Sequence, residues 1–161
     1  PLVTKELFVF AEYKHFFDSE GINLSISDSN QLHIANNKYN LLKFCQNENI
    51  PHPEFYIINS LEEFKNKAKI LGYPGKEFCF KPPVSNGMRG FRIVSNTSNK
   101  MDNLINEKPN NVYIGFDEFN QIAMDSDYFP ELLLMEYLPG SEYSVDVLVR
   151  NGECLGVVPR S

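Results

Sequence analysis

No apolar run in this sequence approaches the roughly 20 residues that a membrane-spanning helix needs, and the N-terminus lacks the charged start and apolar stretch of a secretory signal. Positive charge is not in excess either. With 15 Lys and Arg against 21 Asp and Glu the net charge is −6, so no polybasic field exists to hold a nucleic-acid backbone or an anionic membrane, and any anion site must be local. Cysteine is scarce: Cys45, Cys79 and Cys154 show no CxxC spacing and leave one over after any pairing, which fits free thiols in a reducing, cytoplasmic compartment. His15, His33 and His52 form no ligand pattern with one another or with the cysteines, which excludes a metal or redox centre built from them. Internal repeats and low-complexity tracts are lacking as well.

What is present is a chain that can bury a real core. Its 161 residues are 42% hydrophobic, enough for one ordinary domain or two small lobes. Periodicity predicts a helix over "TKELFVFAEYKHFFDSEG", opened by Thr4 and stopped at Gly21, then a short strand, "INLSIS". A second amphipathic helix, "NKYNLLKFCQNEN", must end before the two prolines of "IPHP". "EFYIIN" reads as a strand and "SLEEFKNKAKILG" as a helix with a capping box from Ser60 to Glu63. "EFCFK" and "GFRIV" read as strands, residues 95–111 as a polar Asn-rich stretch, and "GFDEFNQIAMD" as a helix. Three strands follow, "ELLLMEYL", "EYSVDVLVR" and "ECLGVVP", the last two joined by an Asn151-Gly152 hairpin turn. The class expected is α+β, or mixed α/β. Residues 1–50 read as the end of an α/β lobe with a linking helix, residues 51–161 as a sheet region with hairpins, and the boundary falls near "NIPHP". Both ends look cut, so a fragment of a longer protein is expected.

Chemistry concentrates in the connections. In "FCFKPPVSNGMRGFRIV" a strand delivers Lys81 to a fixed place, and Gly87 and Gly90 let the following loop present backbone N–H groups. That pattern suits a phosphate clamp, with Arg89 as a second cation. It is no Walker A loop, because G-x-x-x-x-G-K-[ST] is absent and the loop runs into a strand. A plain hairpin loop with a solvated lysine explains the same residues. In "LLLMEYLPGSEYSVDV", Glu142, Ser144 and Asp146 share one strand face by period-two alternation. Glu142 could accept from ribose hydroxyls, and residues 136–138 could offer backbone groups to the edge of an adenine. The wet side of a half-buried hairpin is the plainer alternative. Lys38, near the start of a helix among asparagines, decides little alone.

The order of these segments, a lysine at a helix start, then "KPPVSNGMRG", then "MEYLPGSEYSVDV", with the "IPHP" connector, resembles the ATP-grasp superfamily from about residue 20 onward. The branch it looks most like is that of the carbamoyl-phosphate synthase large chain and biotin carboxylase. The resemblance implies that Lys38 and Lys81 contact nucleotide phosphates and that Ser85, Asn86, Gly87, Met88, Arg89 and Gly90 form the loop covering them. It implies that Met135, Glu136, Tyr137 and Leu138 form the hinge against adenine, with Glu142 as the ribose-binding acid. The implied activity is ATP-dependent ligation of a small carboxylate to an amine or other nucleophile through an acyl phosphate. No nucleic-acid or membrane partner is implied, and a homodimer is allowed. Asn37 departs from the acid usual before the first lysine, and the loop is poorer in glycine than in relatives. The family's magnesium ligands, an acid and then Glu-x-Asn, are expected beyond residue 161. Chain 1–161 alone is therefore expected to bind ATP weakly and not to turn over. Arg160 matches a position where relatives often hold an anion-binding arginine. The alternative is a non-catalytic nucleotide-sensing or protein-interaction module that kept the fold and lost the chemistry.

Overall fold

The computed structural model describes residues 4–85, 88–96 and 112–160. Most of the Asn-rich stretch at 95–111 lies outside them, as do Asn86 and Gly87. The first segment is helical: α1 (Thr4–Glu12), α2 (Lys14–Ser19), α3 (Ser29–Asn36) and α4 (Lys38–Asn47). The single helix expected over 4–21 is bent at Tyr13. Backbone bonds continue through the bend, from Tyr13 N–H to Val9 O at 3.1 Å and from Phe17 N–H to Tyr13 O at 3.2 Å. Helices α2 and α4 and the later α5 (Leu61–Ile70) stop in the same way. Gly21, Asn49 and Gly72 take left-handed φ values of 73°, 56° and 99°. The N–H of the residue after each reaches back five positions, from Ile22 to Phe17 O, Ile50 to Cys45 O and Tyr73 to Ala68 O, at 2.8–3.0 Å. This arrangement satisfies carbonyls that a helix end would otherwise orphan.

The strand expected at "INLSIS" does not form. Residues 22–28 carry no strand assignment, and Lys14 instead ties the segment down, its ammonium donating to Ile26 O at 3.1 Å and to the Asp28 carboxylate at 2.7 Å. That ammonium holds the Asp28 carboxyl below its ordinary pKa. The alternating Ile22, Leu24 and Ile26, without an adjacent strand to complete the backbone hydrogen bonds, leave a connection outside the sheet.

A five-stranded sheet follows, built from β1 (Phe55–Ile58), β2 (Phe78–Lys81), β3 (Arg92–Val94), β4 (Tyr113–Ile114) and β5 (Leu132–Glu136) in the order β1-β5-β2-β3-β4. All pairings are antiparallel except β3 with β4. Alternation along the strands sorts side chains onto two apolar faces. On one, Ile58, Phe78, Phe80, Val94, Leu132 and Leu134 pack with Phe64 and Ala68 of α5, and Phe116 and Phe119 of α6 (Phe116–Met124) lie against them. On the other, Phe55, Cys79, Ile93, Leu133 and Met135 meet Tyr39 and Leu42 of α4.

Helix α5 begins as expected at Ser60, whose Oγ accepts from Glu63 N–H at 3.2 Å. The Glu63 carboxylate reaches back to Asn59 N–H at 2.7 Å, one residue beyond Ser60, whose own N–H it would bond in a full capping box. The hairpin β6 (Ser144–Arg150) and β7 (Glu153–Arg160) forms through Asn151 and Gly152, at φ 51° and 81°. Every residue of its two strands is exposed. Among the described residues no helix is long and apolar enough to cross a membrane.

Phe64 is fully buried, its ring 4.4 Å from Phe119 and 5.4–5.6 Å from Phe116 and Phe78. Phe64→Ala is expected to cost about 3–5 kcal/mol in urea unfolding, because the helix-covered face would keep a ring-sized void. Val147→Thr on the open hairpin is expected to stay within about 0.5 kcal/mol.

Candidate functional site

The second face of the sheet is covered incompletely, and a cleft of about 640 Å³ opens over it. Its floor is one cross-strand row. Tyr113 pairs with Ile93, Ile93 with Cys79, and Cys79 with Met135. All four line the cleft. Lys81 stands two residues beyond Cys79 on the same face, where β2 ends. Lys38 comes from the start of α4, Ser85, Met88 and Arg89 from the connection after β2, Glu136 from the end of β5, and Tyr137, Leu138 and Glu142 from the segment after it. Of the residues singled out from sequence, Gly90 is described but does not line the cleft. Asn86 and Gly87 lie outside the described residues.

Local structure explains how the cationic end is assembled. Asn37 caps α4, its Oδ1 accepting from the N–H groups of Tyr39 and Asn40 at 3.0 and 3.2 Å. Lys38 then donates its backbone N–H to Pro83 O at 2.9 Å and its ammonium to Ser85 O and Oγ at 2.8 and 3.1 Å. Burial lowers the Lys38 pKa, and the nearby Lys81 charge lowers it further. Gly90 closes the loop from outside the cleft. Its φ is +75°, and a Cβ there would lie 2.6 Å from Pro82 Cδ, so the position needs glycine for close approach and for backbone conformation.

The opposite end is shaped by Glu136. Its N–H donates to Glu54 O at 2.8 Å, and its carbonyl accepts a weak 3.9 Å contact from the Cys79 thiol. Burial pushes that thiol up to about 11, the Lys81 charge opposing the rise. The acceptor row expected from Glu142, Ser144 and Asp146 reaches the cleft only through Glu142. The Asp146 carboxylate is instead held by Arg160, from Nε at 2.7 Å and Nη2 at 2.9 Å. The two side chains meet across the hairpin, so that acid is neutralised, and the guanidinium expected to bind anions is occupied by it. Among the described residues no group of three or more His, Cys, Asp or Glu side chains is placed to hold a metal ion.

Comparison with known structures gives the same architecture. A RimK-domain ATP-grasp protein from Sphaerobacter thermophilus superposes with a TM-score of 0.57 at 15% identity, over 97% of this chain and 51% of its own. The D-alanine–D-alanine ligase of Bacillus anthracis, complexed with ATP, gives 0.53 at 18% identity, over 90% of this chain and 41% of its own. The fold is ATP-grasp-like. The chain spans about half the length, or less, of these structures. A family model described as ATP-grasp in the biosynthetic pathway with Ter operon matches residues 128–161, which carry β5, the segment after it and the β6–β7 hairpin of this ATP-grasp fold. No curated protein matches the sequence.

Cys79, Ile93 and Tyr113 went unnoticed in the sequence as site residues. Alternation back from Lys81 points to Cys79, but the other two follow only from strand register. A raised thiol pKa makes a concrete expectation for the floor. At pH 8 Cys79 should react with a thiol reagent roughly a hundredfold more slowly than a thiol of ordinary pKa, from its smaller thiolate fraction alone. Exposed Cys154 is the internal reference, and mass-resolved alkylation is the measurement. Equal rates at the two would show that the floor of the cleft is open.

Proposed function

We propose that the cleft binds an adenine nucleotide and serves an ATP-dependent ligase that activates a small carboxylate as an acyl phosphate for capture by an amine or another nucleophile. The observation that carries this reading is one cleft lined both by two cations, Lys38 and Lys81, and by an apolar floor of Cys79, Ile93 and Met135. A purine needs a flat apolar contact, and phosphates need charge-assisted donors. These residues fit the group. Lys38 and Lys81 would hold the phosphates, with Ser85 to Gly90 as the covering loop. Met135 to Leu138 would meet the adenine, and the exposed carboxylate of Glu142 would accept from ribose hydroxyls. Bound ATP supplies the phosphoryl group and its leaving group. The chain's own part is to bind and orient the nucleotide and to place positive charge where phosphate charge lies.

Among the described residues no group of three or more His, Cys, Asp or Glu side chains is placed to hold magnesium. We therefore assign to them nucleotide binding and derive no transfer step through the metal. The finer likeness to carbamoyl-phosphate synthase and biotin carboxylase rests on the order of the helix-start lysine, the "IPHP" connector, "KPPVSNGMRG" and "MEYLPGSEYSVDV" in the sequence. The division into a linking lobe over residues 1–50 and a nucleotide-binding region over 51–161 is part of the same proposal. It is supported by the contrast between the helical first segment and the sheet that follows.

Calorimetric titration with ATP and ADP tests the reading. Binding is expected in the wild-type chain, and Lys81→Ala should weaken it by about 1.5–3 kcal/mol, the value of a charge-assisted phosphate bond. Affinity untouched by Lys81→Ala would remove that lysine from the site. Nucleotide binding in a protein extended beyond residue 161, with no release of phosphate from ATP across a panel of carboxylates and amines, would favour the nucleotide-sensing alternative.

A further inference from the structure

Lys38 sits where helix α4 meets the connection leaving β2, and it makes three bonds there: its backbone N–H to Pro83 O, and its ammonium to Ser85 O and Ser85 Oγ. An ammonium has three donors. Two are spent on Ser85, and no third acceptor is found among the described residues. Left to itself, a lysine on a flexible four-carbon stem beside another cation would swing into water, where hydration is best and the repulsion is screened. Here it stays partly buried and near enough to Lys81 for the two charges to interact. Two features make the loop a firm place to hold it from. Pro83 is buried, and Gly90 packs against Pro82 with no room for a side chain.

We propose that Ser85 is a positioning residue: through its hydroxyl and its carbonyl it keeps the Lys38 ammonium in the cleft beside Lys81, with one donor still to give to an anionic ligand. This rests on the nucleotide reading of the cleft and adds to it a division of labour. Besides belonging to the covering loop, Ser85 acts on the phosphates through Lys38, and its side chain sets how well the two cations are prepared before the ligand arrives. Preorganisation of this kind saves the ordering cost that a mobile lysine would otherwise meet on binding. The adenosine part of the ligand, lying over the apolar floor of the cleft, does not draw on it.

The test compares the wild-type chain with Ser85→Ala and Ser85→Thr in two measurements. The first follows the Lys38 side chain by NMR in lysine-labelled protein, with the resonance assigned from Lys38→Arg. Ser85→Ala should raise its titration midpoint toward the ordinary lysine value, because the ammonium, no longer held in a partly buried place beside Lys81, swings into water, and Ser85→Thr should return it to the wild-type value. The second titrates ATP and adenosine separately. ATP should bind Ser85→Ala roughly fivefold more weakly, the worth of one hydrogen bond, with adenosine unchanged and Ser85→Thr close to wild type. A Lys38 midpoint unmoved by Ser85→Ala, or equal losses for ATP and adenosine, would overturn the proposal. Should the wild-type chain bind no ATP, the nucleotide reading fails, and the Lys38 titration alone still decides the positioning role.

Discussion

The structure depends on two strands, β2 and β5, that have to be apolar on both sides. Phe78 and Phe80 point to the helices while Cys79 points the other way, and Leu132 and Leu134 alternate in the same manner with Leu133 and Met135. Because the pleat sends neighbours to opposite faces, the core and the cleft are cut from one backbone. The helix-covered side carries an aromatic pack of Phe64, Phe78, Phe80, Phe116 and Phe119, where a change of volume is felt at once. The other side is only partly roofed by α4. The remainder is the floor on which a flat ligand could rest, and its smoothness is inherited from the same strand register that builds the core.

Charge is handled locally, as an acidic chain requires. Lys81 arrives on a strand end and Lys38 on a helix start, so both cations are carried by regular structure and neither needs a charged surface around it. Bringing them close is unfavourable by itself, and it adds to the burial that already lowers the Lys38 pKa. Asn37, Pro83, Ser85 and Gly90 are the neutral parts that hold the arrangement together: a cap, a carbonyl, a hydroxyl and a close approach of backbone to ring. None carries charge, so the cationic character of that end is left undiminished for a ligand.

What could be read from the sequence was read where a residue declares its own neighbourhood. Ser60 with Glu63, Asn151 with Gly152, and the apolar runs of β2 and β5 are local signals, and the elements they predict are present. "INLSIS" failed because a strand exists only beside another, and no periodicity within six residues can announce a missing neighbour. Helix α3 was overlooked because "SNQLHIAN" is short and rich in residues that compete with helix bonding. The cleft divides in the same way. Lys81 and Glu142 stood out through their loops, whereas Ile93 and Tyr113 join the floor through cross-strand alignment, which depends on register. Asp146 shows the limit of alternation, since sharing a face with Glu142 did not prevent Arg160, at the far end of the hairpin, from claiming its carboxylate.

The order of the strands in space differs from their order in the chain, and this bears on how the protein is made. Strand β5 is the last of the five to be synthesised, yet it lies between β1 and β2 and pairs with both. As the chain leaves the ribosome, β2 and β3 can close as a hairpin, but β1 has no partner and must wait with its hydrogen-bonding edge open. Phe55 meets Met135 and Phe78 meets Glu136 only once that late segment arrives, so the central sheet is completed in one step, by insertion, at a high loop-closure cost. Assembly is thus deferred to the end of translation of this region. The segment that closes the sheet leads directly into Tyr137 and Leu138, so the cleft floor and the sheet core are laid down by the same late strand.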